Sequence, residues 1–80
     1  MRLSEKQIKD LYRDIEVNIS AECARAHIGY SELAERIGMN KCTLYRKRKF
    51  PYTFKLDELV RIANVLNVSL FRLIGGTDAE

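Results

Sequence analysis

The sequence predicts an all-α domain of five helices, the first of them extended. Three observations lead there. Apolar residues recur at three- and four-residue steps along most of the chain, no segment sustains the two-residue alternation of a strand, and helix-start and helix-stop residues flank the periodic stretches. Eighty residues leave room for one small core. A 46% hydrophobic content suits a folded globule, and 31% charged residues with only short apolar runs exclude a membrane span. The single proline and four glycines leave little room for a flexible linker.

Each element has its own local signal. Ser4 followed by Gln7 is a capping box, and Ile8, Leu11, Tyr12, Ile15, Ile19 and Cys23 then form one apolar stripe. A first helix is therefore expected over about Glu5–Ala26, ending before Gly29, with its first two or three turns overhanging so small a domain. His27 reads as a helix-ending residue. A second helix follows at about Tyr30–Ile37, with Leu33, Ala34 and Ile37 inward and Gly38 as a left-handed stop. Met39 is placed to plug the turn, and Asn40 caps a third helix, Lys41 to about Arg48, in which Leu44 is the one strongly apolar residue.

Pro51 breaks the pattern after the third helix. A fourth helix is expected over about Lys55–Leu66, with Leu56, Leu59, Ile62, Ala63 and Leu66 inside and Asn67 at its end. Ser69 caps a last short helix, Leu70–Ile74, closed by Gly75 and Gly76. The expected organisation is one domain over 1–80: a helical N-terminal extension (1–14), a core (15–74) and a frayed tail (75–80).

Charge is segregated. Arg36, Lys41, Arg46, Lys47, Arg48, Lys49 and Lys55 fall within residues 36–55, which hold no acid, while the stretches on either side are net acidic. A basic block between acidic ones is an electrostatic footprint for a polyanion, and here it falls on a helix with a single core anchor. Catalysis finds little support. There is one histidine, no CxxC, no HExxH and no glycine-rich phosphate loop, so no enzyme, cofactor, metal site or small-molecule ligand is expected. Cys23 and Cys42 are too few for a disulfide framework or a zinc cluster, which suits a reducing cytosol. Arg2, Glu5, Lys6, Lys9 and Asp10 interrupt any signal-peptide core.

The informative stretch is Leu33-Ala34-Glu35-Arg36-Ile37-Gly38-Met39-Asn40-Lys41-Cys42-Thr43-Leu44. Small Ala34 permits a close, steep helix crossing, Gly38 permits the tight turn, and Met39 with Leu44 holds the next helix against the first. That is the helix-turn-helix arrangement, which presents its second helix to the DNA major groove.

Residues from about Ile15 to Ile74 resemble the lambda-repressor/Cro-like (XRE-type) helix-turn-helix domain. The likeness rests on Ile28-x-Tyr30-Ser31-Glu32-Leu33-Ala34-x-x-Ile37-Gly38-Met39-Asn40-x-x-Thr43-Leu44 and on Leu59-x-x-Ile62-Ala63-x-x-Leu66-Asn67-Val68-Ser69. The runs Thr43-Leu44-Tyr45-Arg46-Lys47 and Phe54-x-Leu56-x-Glu58-Leu59 look most like small prophage regulators of Gram-positive bacteria. The resemblance implies a five-helix lambda-repressor-like DNA-binding fold. Two positions depart from it. Where such domains often pair an arginine late in helix 1 with a glutamate ending helix 3, this chain has Cys23 and Arg48, which leaves Arg48 to reach a phosphate or Glu22. Where they often carry a large apolar residue, it has Lys47, whose stem is expected to cover the core while its ammonium reaches out to water.

Read through groove geometry, the resemblance places Lys41, Cys42, Thr43 and Arg46 at base edges, with Arg46 the candidate for bidentate guanine recognition. Thr43 either meets a base or packs between helices, and Cys42 is a small residue tolerating close approach or a redox-sensitive thiol. Tyr30, Ser31, Asn40, Tyr45, Arg48, Lys49, Tyr52 and Lys55 are candidates for the DNA backbone, Tyr45 and Tyr52 being alternatively half-buried packing residues.

The implied function is that of a sequence-specific DNA-binding transcriptional regulator, a phage repressor or Cro-like protein, in the bacterial cytoplasm at the nucleoid. It would bind operator DNA as a homodimer, through helix 5 (Leu70, Phe71, Leu73, Ile74) or the start of helix 1, with no space for a sensing domain. The alternative is a protein-interaction module on the same fold, such as an antirepressor or antitoxin, which an exposed apolar face on residues 5–15 would favour.

Overall fold

A computed structural model of the chain describes residues 2–74 and contains, among them, five α-helices, a single 3₁₀ turn and no strand. The helices are α1 (Glu5–Ala26), α2 (Tyr30–Ile37), α3 (Lys41–Lys49), α4 (Leu56–Leu66) and α5 (Leu70–Leu73), with the 3₁₀ turn at Pro51–Thr53. The all-α, five-helix expectation is met. The tail at 75–80, with Gly75 and Gly76, lies outside the described residues.

Three helices stop by one device. His27, Gly38 and Asn67 each adopt a left-handed backbone, with φ of 58°, 72° and 58°. In each case the next residue's N–H reaches back to the last helical turn: Ile28 to the Cys23 carbonyl at 2.9 Å, Met39 to Ala34 at 2.8 Å, Val68 to Ala63 at 3.0 Å. These are Schellman closures, and each seats an apolar residue (Ile28, Met39, Val68) against the core beside a buried one. Met39 thus plugs the turn as expected, and His27 ends its helix.

Helix starts are equally local. Ser4 Oγ accepts from the Gln7 N–H at 3.2 Å while Gln7 Oε1 accepts from the Ser4 N–H at 2.8 Å. Asn40 Oδ1 accepts from the Cys42 N–H at 2.7 Å, and Ser69 Oγ from the Arg72 N–H at 3.3 Å. The start of α4 has half of a capping box: the Lys55 N–H donates to Glu58 Oε1 at 2.8 Å, but an ammonium has no lone pair with which to reciprocate. Lys55 is accordingly the cap, and α4 begins one residue later than expected. α3 runs one residue further, to Lys49, and α5 stops one residue sooner, at Leu73.

The core collects Ile15, Ile19 and Cys23 of α1, Leu33, Ala34 and Ile37 of α2, Leu44 of α3, Leu59, Ile62, Ala63 and Leu66 of α4, and Leu73 of α5. α2 packs on both α3 and α4, and α1 crosses α4, α5 and the 3₁₀ turn. Ala34 is 1% exposed, so its methyl takes up little room where α2 meets its neighbours. At 22 residues α1 is about 33 Å long against a largest molecular dimension of 38 Å. On its first turns Ile8 is half-buried, and Leu11 and Tyr12 are exposed.

Two packing expectations are corrected. Leu56 is 66% exposed, because it occupies the first turn of α4, on the flank of the stripe formed by Leu59, Ile62 and Leu66. Leu73, considered for a dimer surface, is fully buried. Its carbonyl accepts from Asn18 Nδ2 at 3.2 Å, which docks the short α5 on α1. Glu22 is buried too, and holds Arg72 at 3.3 Å and Arg25 at 3.8 Å. Among the described residues no helix is long and apolar enough to cross a membrane.

Candidate nucleic-acid interface

α3 lies on the surface of the molecule, anchored by Leu44, which is 1% exposed and is the helix's one buried residue. Lys41, Cys42, Tyr45, Arg46 and Lys49 form its outward face. Thr43 is half-buried and borders a cleft toward α4 that is also lined by Gly38 and Glu58.

The cations of α3 divide by direction. Those turned inward are paired. Lys47 Nζ lies 3.1 Å from Glu58 and donates to the Thr53 carbonyl at 2.8 Å, so its ammonium is held inside the fold and does not reach out to water as expected. The physical reason is that Glu58, fixed at the start of α4, offers a carboxylate where a lysine stem already lies. Burial of Glu58 alone would raise its pKa, but the Lys55 N–H and the Lys47 ammonium together outweigh it and hold the carboxyl below its ordinary value.

Arg48 is paired as well, with a different residue from the one anticipated. Its Nη2 and Nε lie 2.9 and 3.0 Å from Glu16 Oε2, and its guanidinium sits 3.3 Å from the centroid of the Tyr30 ring. Glu22 is engaged by Arg25 and Arg72. The Tyr30 hydroxyl shares a 2.7 Å hydrogen bond with Ser20, and burial pushes its phenol pKa up. Arg48, Glu16, Tyr30 and Ser20 therefore join α1, α2 and α3 in one polar cluster. Sequence reasoning did not single out Glu16. The available signal was its spacing: it lies two helical turns before Cys23 and so shares that face of α1.

The outward cations behave differently. Lys41, Arg46 and Lys49 form no ion pair with any described residue, although opposite charges elsewhere on the surface do pair, as in Arg36–Glu32 at 2.6 Å. Ser31 is exposed in the first turn of α2, and Lys55 is exposed at the cap of α4. Asn40 is exposed with its side-chain oxygen committed to the cap. Tyr45 and Tyr52 are 54% and 62% exposed, so neither is a half-buried packing residue. Among the described residues no group of three or more His, Cys, Asp or Glu is placed to hold a metal ion.

Two helices joined by a short glycine turn, the second anchored by one buried leucine and otherwise exposed, form a helix-turn-helix. The chain belongs to the Cro/C1-type HTH DNA-binding domain family, which matches residues 18–74. No curated protein and no solved structure matches the chain. It is a DNA-binding regulator by family, and the matched span takes in α2, α3, α4 and α5 together with residues 18–26 of α1.

Proposed function

We propose that the protein is a sequence-specific transcriptional regulator, of phage repressor or Cro-like type, that inserts α3 into the major groove of operator DNA. The observation that carries this reading is the outward face of α3, where Lys41, Arg46 and Lys49 stand exposed with no ion-pair partner among the described residues. Lys41, Cys42, Thr43 and Arg46 read base edges, Arg46 as the guanine-recognising fork. Ser31, Asn40, Tyr45, Lys49, Tyr52 and Lys55 position the backbone, with Tyr30 and Arg48 flanking them from their own polar cluster. One such domain spans only a few base pairs, so it acts as a homodimer on half-sites about 10 base pairs apart. Of the apolar residues of α5, Phe71 is the exposed one. Residues 1–14 are an extension to the 15–74 core, and the protein works in the bacterial cytoplasm, at the nucleoid.

Selection of binding sites from random duplexes tests this directly. A palindromic consensus whose affinity falls steeply with salt, as neutralised phosphates release counterions, is the expected result. Salt-insensitive binding, or no enriched sequence, overturns the reading. A second reading, a protein-interaction module such as an antirepressor or antitoxin, draws on exposed Leu11 and Tyr12 of the extension. It expects failure of the DNA selection and a nuclease-resistant protein complex.

A further inference from the structure

A second concavity lies away from the first turns of α3. It is a groove of about 310 Å³ between α1 and the segment that leaves α3. Its wall is aromatic: Tyr12 meets Tyr52 edge-on at 6.4 Å between ring centroids, and Phe50 meets Tyr52 at 6.2 Å. All three rings are partly exposed, and Pro51 completes the wall. Lys9, Arg13 and Lys49 add positive charge around it. The carboxylate lining it, Glu16, is neutralised by Arg48, and Arg13 has only an exposed 3.3 Å pair with Asp10 to offset it.

We propose that this groove is a docking site for an acidic segment of another protein that carries one large apolar side chain. The aromatic wall supplies an anchor pocket at the lower end of the size range of ligand sites, and tyrosine and arginine are the side chains that most often dominate such contacts. The surrounding cations select carboxylates on either side of the anchor, so charge complementarity picks the class of partner. Duplex DNA suits the groove less well. It offers phosphates to the cations but keeps its bases stacked, leaving the aromatic wall unfilled. The groove is also partly foreign to the DNA-binding module, because Lys9, Tyr12, Arg13 and Glu16 all precede the matched residues 18–74. The proposal does not rest on α3 binding DNA.

The test is a fluorescence titration of the intact protein with two short labelled peptides of Asp and Glu, one with a central Phe and one with Ala in its place. The Phe peptide is expected to bind at least tenfold more tightly. Tyr12→Ala and Lys9→Glu, both at exposed positions outside the proposed DNA contacts, should each weaken it by roughly tenfold, with helicity unchanged by circular dichroism. Equal affinity for the two peptides, or none for either, overturns the proposal. So does an NMR titration in which a short duplex shifts the Tyr12 and Tyr52 ring signals while the Phe peptide leaves them in place.

Discussion

Glu16 and Arg48, 32 residues apart in sequence, form a 2.9 Å ion pair that ties α1 to the end of α3, with both side chains 23% exposed. The pair spans the helices that such domains often join by an arginine on helix 1 and a glutamate on helix 3. Here the polarity is reversed and the acid sits two turns earlier. Glu16→Gln and Arg48→Gln should each lower stability by about 1 kcal/mol, a value already reduced for partial solvent screening. The double variant should lose less than the two single losses combined, with a coupling of at least about 0.5 kcal/mol in urea unfolding. Fully additive losses would mean that the contact contributes nothing.

Glu58 gives the fold an acid-sensitive joint. Its pKa is held below the ordinary 4.5 in the folded protein, because the Lys55 N–H and Lys47 outweigh the effect of burial. A carboxyl depressed on folding contributes its full stabilisation above its unfolded pKa, and loses it as pH falls through the folded value. Stability should therefore decline from about pH 4.5 downward, and Glu58→Gln should flatten that part of the profile while lowering stability at neutral pH. Urea midpoints measured at successive pH values check both. A Glu58→Gln profile parallel to the parent's would dissociate this carboxyl from the acid response.

His27 holds a left-handed backbone at φ 58°, a conformation that crowds its Cβ against its own main chain. Its side chain is exposed, and it leads into a Schellman closure whose bonds are all made by backbone. His27→Gly removes the crowding without touching a packed group. The expected gain is about 1 kcal/mol, which for a domain of this size raises Tm by roughly 4–8 °C. A Tm at or below that of the parent would show that the extra backbone entropy of glycine outweighs the relief.

These examples show what was legible in the sequence. Helix limits were, to within a residue, since Ser4, Gly38, Asn40, Asn67 and Ser69 act on backbone groups no more than a few residues away. The surface setting of α3 was legible too, because one leucine among basic and polar residues cannot support burial. Partner choice was not. Glu16 for Arg48 and Glu58 for Lys47 depend on where helices cross, which no local spacing specifies. The exposure of Leu56 escaped for a related reason: periodicity places a residue on a face, but not at the edge of what its neighbours cover. The groove beside Tyr12 arises only when the first turns of α1 meet the turn after α3.

Arg46 and Lys49 both project from the outward face of α3, but the proposed geometry gives them different tasks. Arg46→Ala should cost about 1–3 kcal/mol of operator affinity and relax sequence preference at one position, because it removes a fork that reads a base. Lys49→Ala should weaken operator and non-operator duplexes alike and reduce the slope of log affinity against log salt by about 1. Fluorescence anisotropy over a range of salt concentrations separates the two. An Arg46→Ala protein with unchanged sequence preference would remove Arg46 from the reading of bases.

The two cysteines offer a chemical report on the same surface. Cys23 is buried in the core, and that burial pushes its thiol pKa up despite the nearby Arg48. Cys42 is exposed in the first turn of α3, among the side chains assigned to the bases. A thiolate is the reactive species, so an aqueous disulfide reagent should titrate one thiol in the native protein and two after unfolding. The native reaction should be lost in a Cys42→Ser variant. Saturating operator DNA should then slow labelling of Cys42 at least tenfold while the urea-unfolded count stays at two, since a thiol facing the floor of the groove is closed to reagent. Undiminished labelling of Cys42 in the complex would place the bound DNA on another face of the domain.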